Sequence, residues 1–415
     1  MKKQMLLVII ALTGFVAASH AEKIDLEVYA SKFDSIPIGI VDFKSTNGQQ
    51  LHENAPWIVI GNDFDFCGRF QVFRRSEYDS AAFYDASVGI YIDGEYTIEG
   101  EEISINCYLR DVTNRELIIG KKYKGNMKAM RHMAHRYCNE IVEMLFGDRG
   151  IFESRVLFVR NEGTKKSVGI MDFDGFNASK LTKNNFINIF PAFEDSLRFL
   201  WVSYMRGKPD IYRGSTIDGS NKIFIHSRFV QSSPDVSIID GTVAYASSKA
   251  GNMDVYTCDP DGGNVKQLTT GRTVDTSPCW SPNGTQIAFT SDRTGNPAIY
   301  VMDASGGNQH KISFAGRYQD SPAWSPKGDL IAYADMADNS KFDVWVIAPD
   351  GSNAKKVTGM AGNNEYPTWS PDGSLIGFVN SYGNKSDMYV VKPDGTKLRR
   401  VTTTGDVKMP AWSRF

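Results

Sequence analysis

The stretch PCWSPNGTQIAF, from Pro278 to Phe289, returns as PAWSPKGDLIAY from Pro322, as PTWSPDGSLIGF from Pro367, and in part as PAWSRF from Pro410. Its tryptophans, Trp280, Trp324, Trp369 and Trp412, are spaced 44, 45 and 43 apart. A second element keeps step with it: DVYTCDPDGGN from Asp254, AIYVMDASGGN from Ala298, DVWVIAPDGSN from Asp343 and DMYVVKPDGT from Asp387. Fainter copies reach backwards as DIYRGSTIDGSN from Asp210 and SVGIMDFDGFN from Ser167, and Pro191 and Pro234 open two degenerate versions of the first element. A fixed period of this length marks a repeat architecture, here of six units.

Within one unit the Pro-x-Trp-Ser piece reads as a short strand. The Ser-Pro-x-Gly that follows is a turn, with proline fixing φ at its second position and glycine taking the positive φ. Ile287-Ala288-Phe289 is a second strand, Ala298 to Met302 a third, and Lys311-Ile312-Ser313 a fourth. Four antiparallel strands per 40–45 residues is the arithmetic of a β-propeller blade. Helical repeats are excluded, because Pro and Gly recur inside every unit and no 3.6-residue period appears. The unit that opens at Pro410 lacks its second strand, and Arg155 to Gly163 supplies a match for it. The last blade is therefore predicted to be sewn from both ends of the array, which removes free sheet edges. The repeated tryptophans read as packing between blades. Each buries about 150–250 Å², an upper bound of about 4–6 kcal/mol.

Residues 22–150 lack the period and read as a small α/β domain, with the propeller at 151–415. Pro37 to Phe43 and Ser87 to Ile92 look like buried strands, Glu102 to Leu109 and Glu116 to Tyr123 like two more. Asn126 to Phe146 reads as a helix with Met130, Met133, Ala134, Tyr137, Ile141 and Leu145 on one side, ended by Gly147. His132 and His135 on it are expected to be exposed or locally satisfied rather than metal ligands. Asp63 to Gly68 resembles a calcium loop but places Cys67 and Arg74 where ligands belong.

The first 21 residues carry Lys2-Lys3, an apolar run from Met5 to Val16 and Ser19-His20-Ala21, the pattern of a secretory signal cut after Ala21. The run is too short to span hydrocarbon, and no cysteine follows it for acylation. Lys+Arg 46 against Asp+Glu 48 gives −2, which becomes −4 once Lys2 and Lys3 leave. Such a chain lacks the basic excess that nucleic-acid binding needs. Five cysteines, Cys67, Cys107, Cys138, Cys258 and Cys279, are scattered without zinc-site spacing and read as buried thiols, a Cys67–Cys107 bridge being left open. Ile24 to Tyr29 alternates with period two, as an edge strand of the domain or as a segment that pairs with a partner's sheet.

No G-x-S-x-G elbow, Walker A, HExxH or complete dinucleotide fingerprint occurs, so no catalytic set, cofactor or metal site is expected. The residues before each blade's proline enter the innermost strand and gather at one channel mouth: Arg228 to Ser233, Arg272 to Ser277, Arg317 to Ser321 and Asn363 to Tyr366. Mixed charge, amide and tyrosine suit a polar protein interface, although Arg272/Asp275 and Arg317/Asp320 also read as mere solvated pairs. An alternative is an exported propeller enzyme acting on a glycan, with Asp275, Asp320 and Glu365 as acid and base.

Taken together, the leader, the small domain, the six repeats and the junction MRHMAHRYCNEIVEMLFGDRGIFESRVLFV from Met130 to Val159 resemble the TolB family, periplasmic propeller proteins of the bacterial Tol–Pal cell-envelope system. The resemblance implies a non-enzymatic adaptor that supports outer-membrane integrity and constriction at cell division. It implies that the channel mouth binds the peptidoglycan-associated lipoprotein Pal, carried by position onto Phe229, Ser233, Thr276, Ser277, Asp320 and Glu365. It also implies that the mature N-terminal segment engages TolA through Ile24, Leu26 and Val28, with any membrane attachment made through such partners and other envelope proteins.

Overall fold

The computed structural model describes residues 35–51, 53–336 and 341–414. The leader with its cut after Ala21 and the segment carrying Ile24, Leu26 and Val28 lie outside the described residues.

The N-terminal domain is built on strands β1 (Ile36–Val41), β2 (Lys44–Ser45), β3 (Phe70–Arg75), β4 (Ile90–Glu99), β5 (Glu102–Asp111) and β6 (Leu117–Asn126), with helices α1 (Pro56–Cys67), α2 (Ser80–Asp85) and α3 (Met130–Phe146). The sheet runs β3-β1-β4-β5-β6, with β1 parallel to both neighbours and β4 to β6 an antiparallel meander. Buried Met130, Met133, Ala134, Tyr137, Cys138, Ile141 and Val142 recur at helical spacing, so α3 turns one stripe onto the sheet. It ends where Gly147 takes φ 75° and returns its N–H to the Glu143 carbonyl. Helix α1, starting at Pro56 and closed by Gly68 at φ 65°, shares this core; α2 covers the other face through Phe83, beside Val88, Tyr91 and Val112. The stretch Asp63 to Cys67, which resembled a calcium loop, is the last turn of α1.

Six four-stranded antiparallel sheets follow, numbered here as blades 1 to 6. Their innermost strands are Asn188–Phe193, Gln231–Val236, Asp275–Trp280, Tyr318–Trp324, Asn363–Trp369 and Val407–Trp412. The sixth blade joins the last of these to Arg155–Glu162, pairing Val407 with Arg160 and Trp412 with Val156, which is the closure the ends of the repeat array predicted. Trp280, Trp324, Trp369 and Trp412 are all buried. Trp324 packs with Cys279, Ile299 and Val301 of the preceding blade, as expected of an inter-blade wedge. The glycines of the Ser-Pro-x-Gly turns, Gly284, Gly328 and Gly373, sit at φ 70°, 78° and 66°.

A second repeated device ties five of the six blades together. Thr182, Thr269, Ser313, Thr358 and Thr402 accept through their hydroxyls from the N–H fourteen residues earlier, at 2.8–2.9 Å. In blades 4 and 5 the same hydroxyl donates to the buried Asp343 or Asp387 near the start of the third strand.

The small domain sits on the propeller face made of the strand 1–2 and 3–4 turns, at blades 5 and 6. Arg69 forks onto Asp148 at 2.6 and 2.7 Å and reaches Asp372 of blade 5 at 2.8 Å. Lys392 donates to the Gly68 carbonyl, and Phe66 meets Phe173 edge to face. The channel's other mouth, formed by the 2–3 hairpins and the crossings between blades, points away. No described helix is long and apolar enough to cross a membrane.

Candidate functional site

Each innermost strand carries a proline that cannot donate to its ladder. The residue before it, Phe190, Ser233, Ser277, Ser321, Tyr366 or Met409, takes a left-handed φ between 45° and 56°. A residue preceding proline ordinarily adopts extended backbone, so this conformation is held by the surrounding sheet. In every blade the register slips there, two bulge positions being skipped between, for example, Thr276 and Cys279. The bulge turns the pre-proline side chain inward, and six prolines and their partners line a cavity of about 170 Å³.

The expected interface residues can now be placed. Ser233 and Ser277 line this cavity. Thr276, Asp320 and Glu365 stand one residue nearer the mouth on blades 3, 4 and 5, all half-buried. Phe229 lies in the crossing before blade 2, also half-buried, with the Arg228 guanidinium 5.0 Å from its ring centre. Asp320 accepts from Ser277 and Thr290 of the neighbouring blade, each at 2.9 Å, and from the Ser321 N–H at 2.6 Å. It is thereby a stitch between blades as well as a mouth carboxylate. Burial raises the Glu365 carboxyl above its ordinary range; Lys408 opposes the shift and Asp320 adds to it. Burial likewise lowers Lys408, which donates to Ser381 at 2.8 Å. Burial, helped by Glu365, Asp320 and Tyr318, pushes the Tyr366 hydroxyl up to about 12. Tyr366 closes the Asn363–Tyr366 stretch expected at the mouth, whereas Lys408 lies outside the expected stretches; its place two residues before Pro410 on the sixth innermost strand was the available signal.

Two sequence expectations are corrected. Asp275 is not a solvated partner of Arg272: it is fully buried and receives both its bonds from Arg293 at 3.1 Å. Asp320 takes hydroxyl and backbone donors. Withdrawn into its blade, Asp275 does not face the channel beside Asp320 and Glu365, so the proposed acid–base trio does not assemble. The five cysteines are free, buried thiols, so Cys67 and Cys107 form no bridge; burial pushes Cys67 up to about 12.

At the domain junction, α3 shows what sequence could not supply. His135 is buried and its Nδ1 lies 2.7 Å from Asp63 of α1, while His132 is largely exposed. Asp174, from the blade 6 turn, completes a group whose ligand-type atoms lie within 4.8 Å of one another. Arg131 already supplies a cation there, 2.5 Å from Asp174, and its guanidinium stacks on Phe176. The group therefore reads as an ionic clasp between domains.

Residues 142–415 match the family described as the TolB beta propeller domain. The Tol-Pal system protein TolB of Desulfosudis oleivorans is 30% identical over 242 residues, 54% of this chain and 55% of that protein. Its counterpart in Geobacter sulfurreducens is 31% identical over 208 residues, 47% of this chain and 48% of that one. The chain spans about half the length of the curated relatives it matches. Among solved structures, TolB from Acinetobacter baumannii superposes with a TM-score of 0.78 at 21% identity, covering 91% of this chain and 96% of that one, a likeness of fold.

Proposed function

The chain belongs to the TolB β-propeller family, and from that membership we propose that it is a non-enzymatic periplasmic adaptor of the Tol–Pal envelope system. Its channel mouth receives the peptidoglycan-associated lipoprotein, with Ser233, Thr276, Ser277, Asp320 and Glu365 around the contact and Phe229 at its edge. The segment with Ile24, Leu26 and Val28 engages TolA after export and cleavage behind Ala21. Through both contacts the protein supports outer-membrane integrity and constriction at division.

The observation that carries this reading is the bulged ring of pre-proline residues. Six strained positions on the innermost strands hold four polar side chains, Ser233, Ser277, Ser321 and Tyr366, together with Phe190 and Met409 around one channel, and strain of this kind collects where a protein binds.

Affinity capture from detergent-solubilised envelopes tests it, using the protein from residue 22 and a version lacking 22–33. Both should recover a Pal-like lipoprotein, and only the longer one a TolA-like protein. Recovery of neither would overturn the reading.

A further inference from the structure

The two faces of the propeller carry opposite charge, although the whole chain is nearly neutral at −2. On the mouth face, the described strand 2–3 hairpins contribute Arg206, Lys208, Lys249, Arg293 and Lys341. The crossings between blades contribute Lys183, Arg228, Arg272 and Arg317. In the same hairpins and crossings the described acids are Asp292 and Asp406, while Asp320 and Glu365 stand half-buried on the strands inside the rim and Arg293 is paired with the buried Asp275, so the rim keeps a cationic excess. The strand 1–2 and 3–4 turns of the opposite face reverse the balance: eleven acidic residues, from Asp174 to Asp394, against Lys327, Lys392 and Lys397. The acids of those turns have a local reason, since Asp218, Asp350 and Asp394 cap the backbone of their own turns. The mouth-face cations have no such duty in common.

Apolar groups stand among them. Phe186, Val230, Val274, Phe314, Tyr318 and Tyr382 are all exposed, Phe314 at 76% and Tyr382 at 67%. They lie in the hairpins, crossings and strand ends of the mouth face, and the channel within holds a cavity of about 170 Å³ lined by the pre-proline residues and their prolines. A cationic rim set with exposed aromatics suits an anionic surface, and a recess at its centre suits a surface with a protruding loop, which a flat lipid headgroup layer lacks.

We propose that the mouth face is an electrostatically steered dock for an acidic face of a partner protein. This rests on the mouth being the lipoprotein contact and names the chemistry of the partner's side: carboxylates around a protruding loop, meeting the basic rim. Long-range attraction of this kind acts mainly on the association rate and is screened by salt.

The test follows association of the leader-free protein with the soluble domain of the source organism's Pal lipoprotein at about 50 and about 300 mM NaCl. It compares a rim variant carrying Lys183→Glu, Lys249→Glu and Arg272→Glu with Asp329→Lys on the opposite face. These side chains are exposed, and matching thermal melts confirm intact folds. The association rate of the rim variant should fall about tenfold or more at low salt and converge with wild type at high salt. Dissociation should change little, and Asp329→Lys should behave as wild type. Wild-type binding whose association rate ignores both salt and rim reversal overturns the steering while leaving the mouth contact standing. Rim-dependent capture by anionic phospholipid vesicles, without binding to the lipoprotein domain, overturns both.

Discussion

Arg414 reaches from the last strand of blade 6 past blade 1 to Asp235 of blade 2, placing Nη2 2.9 Å from Oδ1 and Nη1 3.2 Å from the Val236 carbonyl. Asp235 holds the position that alanine, cysteine or threonine fills in the other blades, and its second oxygen accepts the Trp280 N–H at 2.7 Å. One carboxylate thus joins blades 6, 2 and 3 at the end of the channel away from the mouth. The Arg414 side chain also lines both the upper cavity and the tryptophan-walled recess beneath it.

Replacing Asp235 by Ala leaves a guanidinium and a backbone N–H without their acceptor. The expected loss is about 3 kcal/mol, in the range for breaking a buried pair from one side. Arg414→Ala strands the Asp235 carboxylate in turn, leaving it only the Trp280 N–H as donor, and should cost a comparable amount, about 3 kcal/mol. Thermal unfolding of the two variants checks this, and a near-neutral result for either would count against the strut.

Closure of the ring depends on Trp412, whose indole N–H donates to Ser154 at 2.8 Å and whose backbone N–H donates to Thr368 of blade 5 at 2.9 Å. Trp412→Ala removes the wedge and both ends of this seam are weakened. A loss of about 3–5 kcal/mol is expected, with protease cleavage appearing first near residues 155–165 or 407–414. Cleavage confined to the N-terminal domain would argue that the seam is not the weak point.

The fourth-strand hydroxyls offer a cleaner substitution. Thr358→Val keeps shape while removing the acceptor for the Val344 N–H and a donor to Asp343. A cost of about 1–3 kcal/mol is expected. The same change at exposed Thr403, outside this device, should be close to neutral, and equal effects at the two sites would refute the role.

How the sequence foretold these features differs by element. The blades were legible because proline, tryptophan and the Ser-Pro-x-Gly turn each enforce local geometry, and the closing strand because Arg155 to Gly163 copies a repeat element missing at the other end. Helix α1 was not: PWIVIGNDFDFC is apolar nearly all round, so it shows no amphipathic stripe, and its acidic last turn imitates a loop. Inner-strand placement of Thr276, Ser277, Asp320 and Glu365 followed from their distance to proline. The partner of Asp275 did not, because Arg293 approaches across the next hairpin rather than along the strand, and the sorting of charge between faces emerges only once alternate turns are assigned to opposite ends.

At the domain junction, burial alone would lower His135, and the Asp63 carboxylate with its hydrogen bond outweighs this, so the imidazole titrates above its ordinary value. A raised value means stability that is fully present below about pH 6.5 and is lost as pH rises through the folded-state value. Asp174, Asp63 and Arg131 are the charged groups that shape it. The melting-temperature gap between wild type and His135→Gln should be wider near pH 5.5 than near pH 8.5, both being about one to two units from the reference value. A gap that grows with pH would contradict the assignment.

The central claim is that the bulged mouth is the binding surface, and a single bulky side chain tests it. Ser277→Trp places an indole in the cavity from a residue that lines it, on the face away from the N-terminal domain. Titration calorimetry with the Pal soluble domain should show Kd raised at least about 100-fold, roughly 3 kcal/mol, with capture of a TolA-like protein nearly unchanged and stability lowered by no more than the lost Ser277–Asp320 hydrogen bond, about 1–3 kcal/mol. An unaltered Kd in a folded Ser277→Trp protein would contradict the account.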